Sequence, residues 1–280
     1  MAPRRRVVVM IPTLNEEVSI GKVLDGIPYM ELNNIGLDVE AIVVDGHSRD
    51  KTQEIANTRK AKIFTQNGKG KGLAVRQAFD LSKPEEVVNR VLNLTSRVDS
   101  ELRTLSTFLD SEYVIMLDGD GTYPSHHILD LVGALETGYD AVMGSRFMGD
   151  IESGAMTRLN RVGNFVLSAM ATGLYFQRVT DLCTGMWGFR TSVLKDLVLS
   201  ARTFDLEAEL FAECAKNHLR IKEVPITYKC RDGETKLVPI SAGLMIGLKL
   251  LERRIELPNF IRGHSLEEEM ERPFGAGSLR

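Results

Sequence analysis

Cysteine is scarce in this 280-residue chain: Cys183, Cys214 and Cys230 are odd in number, far apart and without the paired spacing of a zinc site. That excludes a disulfide framework and fits a reducing cytosol, with the thiols as structural residues. Long apolar runs are lacking too, since no stretch reaches the roughly 18 to 20 residues of a membrane-spanning helix. The two nearest, 162–176 and 237–251, read as buried helices or, alternatively, as helices lying in a bilayer interface; Ser241 and Lys249 interrupt the second. No sign of charge dominates: 35 basic against 38 acidic residues leave a net charge of -3, which argues against a general nucleic-acid-binding surface. Arg4, Arg5 and Arg6 run into Val7 to Ile11 and then Pro12, too short an apolar core for a signal peptide, so the segment reads as a first strand. No internal repeat stands out.

What is present is the composition of a globular protein, 43% hydrophobic and 26% charged, in a chain long enough to bury a substantial core. Short apolar runs that end in Gly, Asp or Asn alternate with helical patterns, the signature of an α/β sheet. Strands are expected over 7–11, 39–44, 62–65, 113–117, 141–144, 186–190 and 221–228. Helices are expected over 16–27 with Asn15 as N-cap, then over 51–57, 73–81, 162–176 and 207–216. A charged helical stretch over 84–109, with Val87, Val91, Leu94, Val98, Leu102 and Leu105 three or four apart, reads as a peripheral insertion spanning 84–110. One domain over 1–250 and a partly flexible tail over 251–280 complete the expected organisation.

The most telling stretch is the apolar run from Tyr113 to Leu117, which ends in Asp118, Gly119 and Asp120. On a strand, residues i and i+2 face one side, so both carboxylates leave its carboxyl end together. Oxygen-only ligands suit magnesium or manganese, and magnesium is commonly held by one or two carboxylates plus substrate phosphates. Two further loops follow expected strands, Pro12-Thr13-Leu14-Asn15-Glu16 and Asp45-Gly46-His47-Ser48. In open α/β sheets such loops converge on the ligand. Asp45 and Glu16 are candidates to accept from a base or ribose hydroxyl. Asn67-Gly68-Lys69-Gly70-Lys71-Gly72 lacks the Gly-Lys-Ser/Thr ending of a Walker sequence and reads as a flexible basic loop near an anionic ligand.

Taken in order, Pro12 to Glu16, Val43-Val44-Asp45-Gly46, Gly70-Lys71-Gly72, Asp118-Gly119-Asp120, Gly144-Ser145-Arg146, Thr180-Asp181 with Gly185, and Arg231 to Lys236 resemble the motifs of family 2 glycosyltransferases. The branch most similar is the polyprenyl-phosphate type, represented by dolichyl-phosphate mannosyl- and glucosyltransferases. The resemblance covers residues 7 to about 250 and implies a GT-A-type nucleotide-sugar fold, a mostly parallel mixed sheet flanked by helices, and an inverting transfer. It also implies that Pro12, Leu14, Glu16, Val43 and Asp45 surround the nucleotide, with Leu14 standing where the family often has an aromatic residue. Asp118 and Asp120 match the metal-binding region, with Gly119 between them. Thr122 stands where a glutamine ligand is common and is expected to contribute its hydroxyl or a water.

Transfer from a nucleoside diphosphate requires stabilisation of the leaving diphosphate, which a bound Mg2+ or Mn2+ supplies together with fixed positive groups. Arg146, Arg231 and Lys236 are the candidates. A lipid monophosphate acceptor has a second pKa near ~6 and is ionised at neutral pH, so it needs no strong general base. Asp181 is expected to position sugar or acceptor. Glu207 and Glu209 are candidates to reach sugar hydroxyls. Trp187 reads as core or pocket wall. The expected activity is transfer of a hexose or N-acetylhexosamine from a UDP- or GDP-sugar to dolichyl or another polyprenyl phosphate, at the cytosolic face of a membrane. The alternatives are a soluble acceptor, such as a phosphorylated small acid or a glycan, and a nucleotide-sugar-binding subunit without chemistry.

Overall fold

The structure is a computed structural model that describes residues 5–82, 107–108, 110–232 and 239–255. The expected helical insertion over 84–110 lies almost wholly outside the described residues, as do Lys236 and the tail beyond residue 255. Seven strands form one sheet: β1 (Arg5–Thr13), β2 (Leu37–Asp45), β3 (Lys62–Thr65), β4 (Tyr113–Met116), β5 (Ala141–Ser145), β6 (Trp187–Arg190) and β7 (Ile221–Pro225). Their order is β3-β2-β1-β4-β6-β5-β7. Every pairing is parallel except the two made by β6. This is the mostly parallel mixed sheet expected from the alternation of elements.

The helices are α1 (Ile20–Asp25), α2 (Tyr29–Asn34), α3 (Thr52–Thr58), α4 (Lys71–Asp80), α5 (Ile128–Glu136), α6 (Arg158–Tyr175), α7 (Thr191–Leu194), α8 (Leu206–Lys216) and α9 (Pro239–Ile255). They cover both faces of the sheet, and β1 shows why. Its side chains alternate, so Val8 and Met10 join the core made with α4, α6, α8 and α9, while Val7, Val9 and Ile11 join the one made with α1, α2, α3 and α5. A strand buried on both faces reads as a continuous apolar run, as Val7 to Ile11 does.

The chain turns back on itself beside β1. From β1 the order runs outward to β2 and β3 on one side, and β4 lies on the other. The crevice between the carboxyl ends of β1 and β4 is therefore a topological switch point, where open α/β sheets bind ligands.

Three expectations are corrected here. Asn15 caps no helix: it adopts a left-handed backbone (φ 53°), donates its N–H to Ser48 Oγ at 2.9 Å and accepts from Arg49 N at 2.8 Å. The helix after β1 starts only at Ile20. Helix α4 begins two residues before the expected 73, so Lys71 lies in its first turn and not in a flexible loop. Strand β7 ends at Pro225, and Tyr228 makes an isolated bridge with Ile151.

Candidate active site

The loops that leave β1 and β2 are sewn together. Gly46 N donates to Thr13 O at 2.8 Å, Glu16 N to Thr52 Oγ1 at 2.8 Å, and Glu17 N to Asp50 Oδ2 at 3.1 Å. Asp45, fully buried, accepts from His47 N at 3.0 Å, Ser48 N at 3.1 Å and Gln53 Nε2 at 2.7 Å through Oδ2. These contacts turn the chain sharply, with His47 in the left-handed region (φ 68°). Pro12 and Val43 are buried within their strands, Val43 in the core layer with Val9 and Ile11. Leu14 stands half exposed at its rim.

The third loop carries the acids. Gly119 is squeezed against β1: a Cβ there would stand 2.1 Å from Thr13 Cγ2. Its carbonyl accepts from Ser19 Oγ at 2.8 Å. Asp120 Oδ1 accepts from the Thr122 N–H at 3.0 Å and from Thr122 Oγ1 at 2.7 Å, while Oδ2 faces Arg231 Nη1 at 3.3 Å. Thr122 is buried, and its hydroxyl serves to aim Asp120. Thr122, the expected third ligand, thus stands beside Asp120 with its hydroxyl bonded to it. Arg231 also pairs with Glu16, which draws the loop after β7 over the loop after β1.

Asp118 meets a different cation. Lys71 Nζ lies 2.7 Å from Asp118 Oδ1 and 2.7 Å from Glu207 Oε1, bridging β4 to the start of α8. Burial pushes the Asp118 carboxyl up to about 6 against the opposing pull of Lys71, and Asp120 and Glu207 add to the rise. Burial by itself would lower the Lys71 ammonium, but Asp118 and Glu207 outweigh it and leave its pKa raised. Gly185 backs this cluster: a Cβ would fall 2.4 Å from Asp118 Oδ2 and 3.3 Å from Lys71 Nζ. Its N–H donates to Tyr123 Oη at 2.8 Å.

Arg146 and Asp181 come together, away from solvent. Asp181 is fully buried and accepts from Arg146 N at 2.8 Å, Arg146 Nε at 2.7 Å, Arg146 Nη2 at 2.6 Å and Asn164 Nδ2 at 2.8 Å. The Arg146 guanidinium also lies 5.0 Å from the centre of the Tyr228 ring, and Tyr228 packs edge-on against Tyr123 at 5.2 Å. The expected catalytic position of Asp181 and phosphate position of Arg146 are thus corrected to a buried bidentate pair that props the loops around the acids. Glu209 is corrected as well: fully buried, it holds Arg253 of α9 and accepts from Ser200 Oγ at 2.7 Å. Only Glu207 of that helix faces the acid cluster. Trp187 is core, stacked on Phe189 with ring centres 5.5 Å apart.

The sequence marked the two acids and Gly70-Lys71-Gly72, but not that Lys71 pairs with Asp118 and Glu207. Two buried polar atoms, Thr13 Oγ1 and Arg231 Nε, have no hydrogen-bond partner among the described residues. Thr13 ends β1, and Arg231 lies on the segment after β7. A buried polar atom left unpaired is costly, and one at a crevice is a place for a ligand. No cluster of three or more His, Cys, Asp or Glu residues able to hold a metal exists among the described residues. Any cation here would need substrate oxygens to complete its shell, which an oxygen-only carboxylate pair suits.

A mostly parallel sheet with carboxylates at its switch point is an arrangement that binds ligands, and known proteins give the class. The fold is similar to glucosyl-3-phosphoglycerate synthase of Mycobacterium tuberculosis, solved with Mn2+, uridine diphosphate and glucosyl-3-phosphoglycerate: TM-score 0.62, 21% identity, 92% of this chain and 82% of that one. Residues 8–89 and 103–198 match glycosyl transferase family 2, and the chain belongs to that family. It is a glycosyltransferase. Among its relatives, glycosyltransferase AglJ of Haloferax volcanii is 34% identical over 249 residues, 88% of this chain and 71% of that protein. The dolichyl-phosphate hexose transferase of the same organism is 34% identical over 253 residues, 89% of this chain and 96% of that protein.

Proposed function

We propose that this glycosyltransferase moves a hexose or N-acetylhexosamine from a UDP- or GDP-sugar to dolichyl or another polyprenyl phosphate, with Mg2+ or Mn2+ and with inversion at the anomeric carbon. The observation that carries the donor half is the convergence of Asp118 and Asp120 at the switch point, each already holding a positive side chain. An ammonium and a guanidinium standing at these oxygens mark them as cation sites. When bound, the divalent ion supplies charge neutralisation for the departing diphosphate.

The chain's own residues do the rest. Asp118 and Asp120 would hold the ion, and Thr122 keeps Asp120 aimed. Arg231, with an unpartnered Nε, and Lys71 are the fixed positive groups nearest the diphosphate, with Lys236 a further candidate outside the described residues. Glu16 and Leu14, on the loop after β1, are the side chains nearest to hand for the nucleoside, and buried Asp45 braces the loop after β2 through His47, Ser48 and Gln53. Glu207 is placed to meet a sugar hydroxyl. The acceptor phosphate, ionised at neutral pH, attacks without a strong general base, which agrees with an Asp181 committed to Arg146 and Asn164.

Two observations support the lipid acceptor. One is the likeness to a dolichyl-phosphate hexose transferase over nearly that protein's whole length. The other is an outward apolar face. Helix α6 exposes Leu159, Val162, Phe165 (70% exposed) and Val166, and α9 exposes Leu244 (66%), Leu248, Leu251 and Ile255. Both helices bury their opposite faces, Leu167 and Ala171 or Ile246 and Leu250, in one core layer, so their apolar faces lie on the same side. No helix of the described residues is long and apolar enough to cross a membrane. The arrangement suits a protein resting on a bilayer interface, with Arg158, Arg161 and Arg254 exposed beside the apolar residues. Peripheral attachment at the cytosolic face is the localisation this reading implies.

The test is transfer of radiolabelled sugar from UDP- and GDP-donors to polyprenyl phosphate with Mn2+ or Mg2+. The reading expects an organic-phase product and a loss of at least about a hundredfold in Asp120→Asn. Absence of lipid-linked product with every common donor overturns it, and product on a water-soluble acceptor alone would move the acceptor to a phosphorylated small acid or glycan.

A further inference from the structure

We infer that Lys71 is an internal counter-cation that keeps the acid pair closed to a divalent ion until a diphosphate arrives, so that metal and nucleotide bind as a coupled pair. The inference rests on the donor half of the proposed function and adds a control on that same site.

Lys71 is firmly placed. Gly70 has φ 104°, and a Cβ there would lie 2.2 Å from Arg202 O; at Gly72 a Cβ would lie 2.7 Å from the Ala201 backbone. Only glycine allows the first turn of α4 to press this closely on residues 201–202. Leu73 N donates to Arg202 O at 3.4 Å across the same contact. The backbone of Lys71 is therefore fixed on both sides, and its side chain spans to two carboxylates on two different elements. Asp118 and Glu207 each approach Nζ to 2.7 Å, and all three side chains are largely screened from solvent. Gly185 leaves no space behind the cluster.

In this arrangement one oxygen of Asp118 is already engaged by a desolvated ammonium, and the other lies against Gly185. Asp120 is in the same position, with Arg231 at 3.3 Å on one oxygen and Thr122 on the other. A divalent ion arriving alone must displace both cations and leave them crowded beside it. An ion arriving with a diphosphate faces a different balance, because the diphosphate oxygens offer Lys71 and Arg231 a new anionic partner. Each ligand then raises the affinity for the other by the same factor. The site would stay empty of metal in the absence of donor, although its acids are in place.

The experiment measures Mn2+ binding to the full chain by paramagnetic resonance of free Mn2+, alone and with UDP or GDP, and nucleotide binding by calorimetry with and without Mn2+. Lys71→Met is expected to bind Mn2+ alone about tenfold more tightly than the native chain, and the metal–nucleotide coupling factor is expected to shrink. Lys71→Arg keeps a cation and is expected to hold Mn2+ binding near the native level. Lys69→Met removes an exposed lysine of the same segment and controls for net charge, with no change expected. Mn2+ binding alone that is unchanged or weaker in Lys71→Met overturns the inference while leaving the proposed function standing. Failure of both UDP and GDP to bind the native chain in any metal overturns the proposed function itself, and the inference with it.

Discussion

Gly185 carries no side chain because Asp118 occupies the space where one would be. A methyl group there meets Asp118 Oδ2 at 2.4 Å, and the backbone of Gly185 is fixed from the other side by its hydrogen bond to Tyr123. Gly185→Ala is therefore expected to push the carboxylate off its aim and weaken Mn2+–nucleotide binding by about tenfold or more, as titration calorimetry would read. Asp181 calls for the opposite test. Its carboxylate is saturated by Arg146 and Asn164 in the interior, so removing either charge leaves the other buried and unpaired. Asp181→Asn and Arg146→Met are each expected to cost about 3 kcal/mol of stability in chemical denaturation, and the double variant less than their sum. A native denaturation midpoint with lost turnover in Asp181→Asn would instead return Asp181 to the chemistry. From the sequence, Asp118 and Asp120 were legible as a pair because strand period 2 fixes their direction. The roles of Thr122 and Asp181 were not, because spacing does not reveal which neighbour a hydroxyl or carboxylate will satisfy first.

Among the elements, strands were legible from their apolar runs: 7–11 and 39–44 fall within the largely buried β1 and β2, and 62–65 matches β3, an edge strand of which only Phe64 is buried. Helix starts were harder. Asn15 looks like an N-cap by composition, yet its side chain accepts from Arg49 N, thirty-four positions away along the chain. The start of α4 at Lys71 depends on contact with residues 201–202, a long-range packing fact that no local pattern encodes. Helix α5 is a different case: Ile128, Leu131, Val132 and Leu135 are buried at helical spacing, so the signal was present and was not among the expected elements. Helices α6 and α9 carry both kinds of information, an inner stripe for the core and an outer apolar one. Exposed apolar residues on a helix already anchored by its other face point to a surface of contact. Phe165→Asp and Leu248→Asp are each expected to lower partition onto phospholipid vesicles by about tenfold in flotation assays while leaving nucleotide binding intact. Vesicle binding equal to that of the native chain would remove the bilayer from the account.

At the scale of the molecule, one sheet positions everything. The direction change beside β1 opens the crevice, three loops from β1, β2 and β4 line it, and the segment after β7 closes over it through Arg231. The side of α6 opposite its exposed face reaches this framework: Asn164 donates to Asp181 and accepts from Cys183 N at 3.0 Å, two residues before Gly185. A bilayer at the outer face of α6 would therefore be separated by one helix diameter, roughly 10 Å, from the segment 181–183. The central claim is that Asp118 and Asp120 share a divalent ion with the donor diphosphate. It is tested most directly by diffraction at the manganese edge from crystals soaked with Mn2+ and UDP or GDP. An anomalous peak bounded by Asp118 and Asp120 with diphosphate oxygens beside it is expected; a peak elsewhere, or a diphosphate seated away from that pair, would overturn the shared-ion reading.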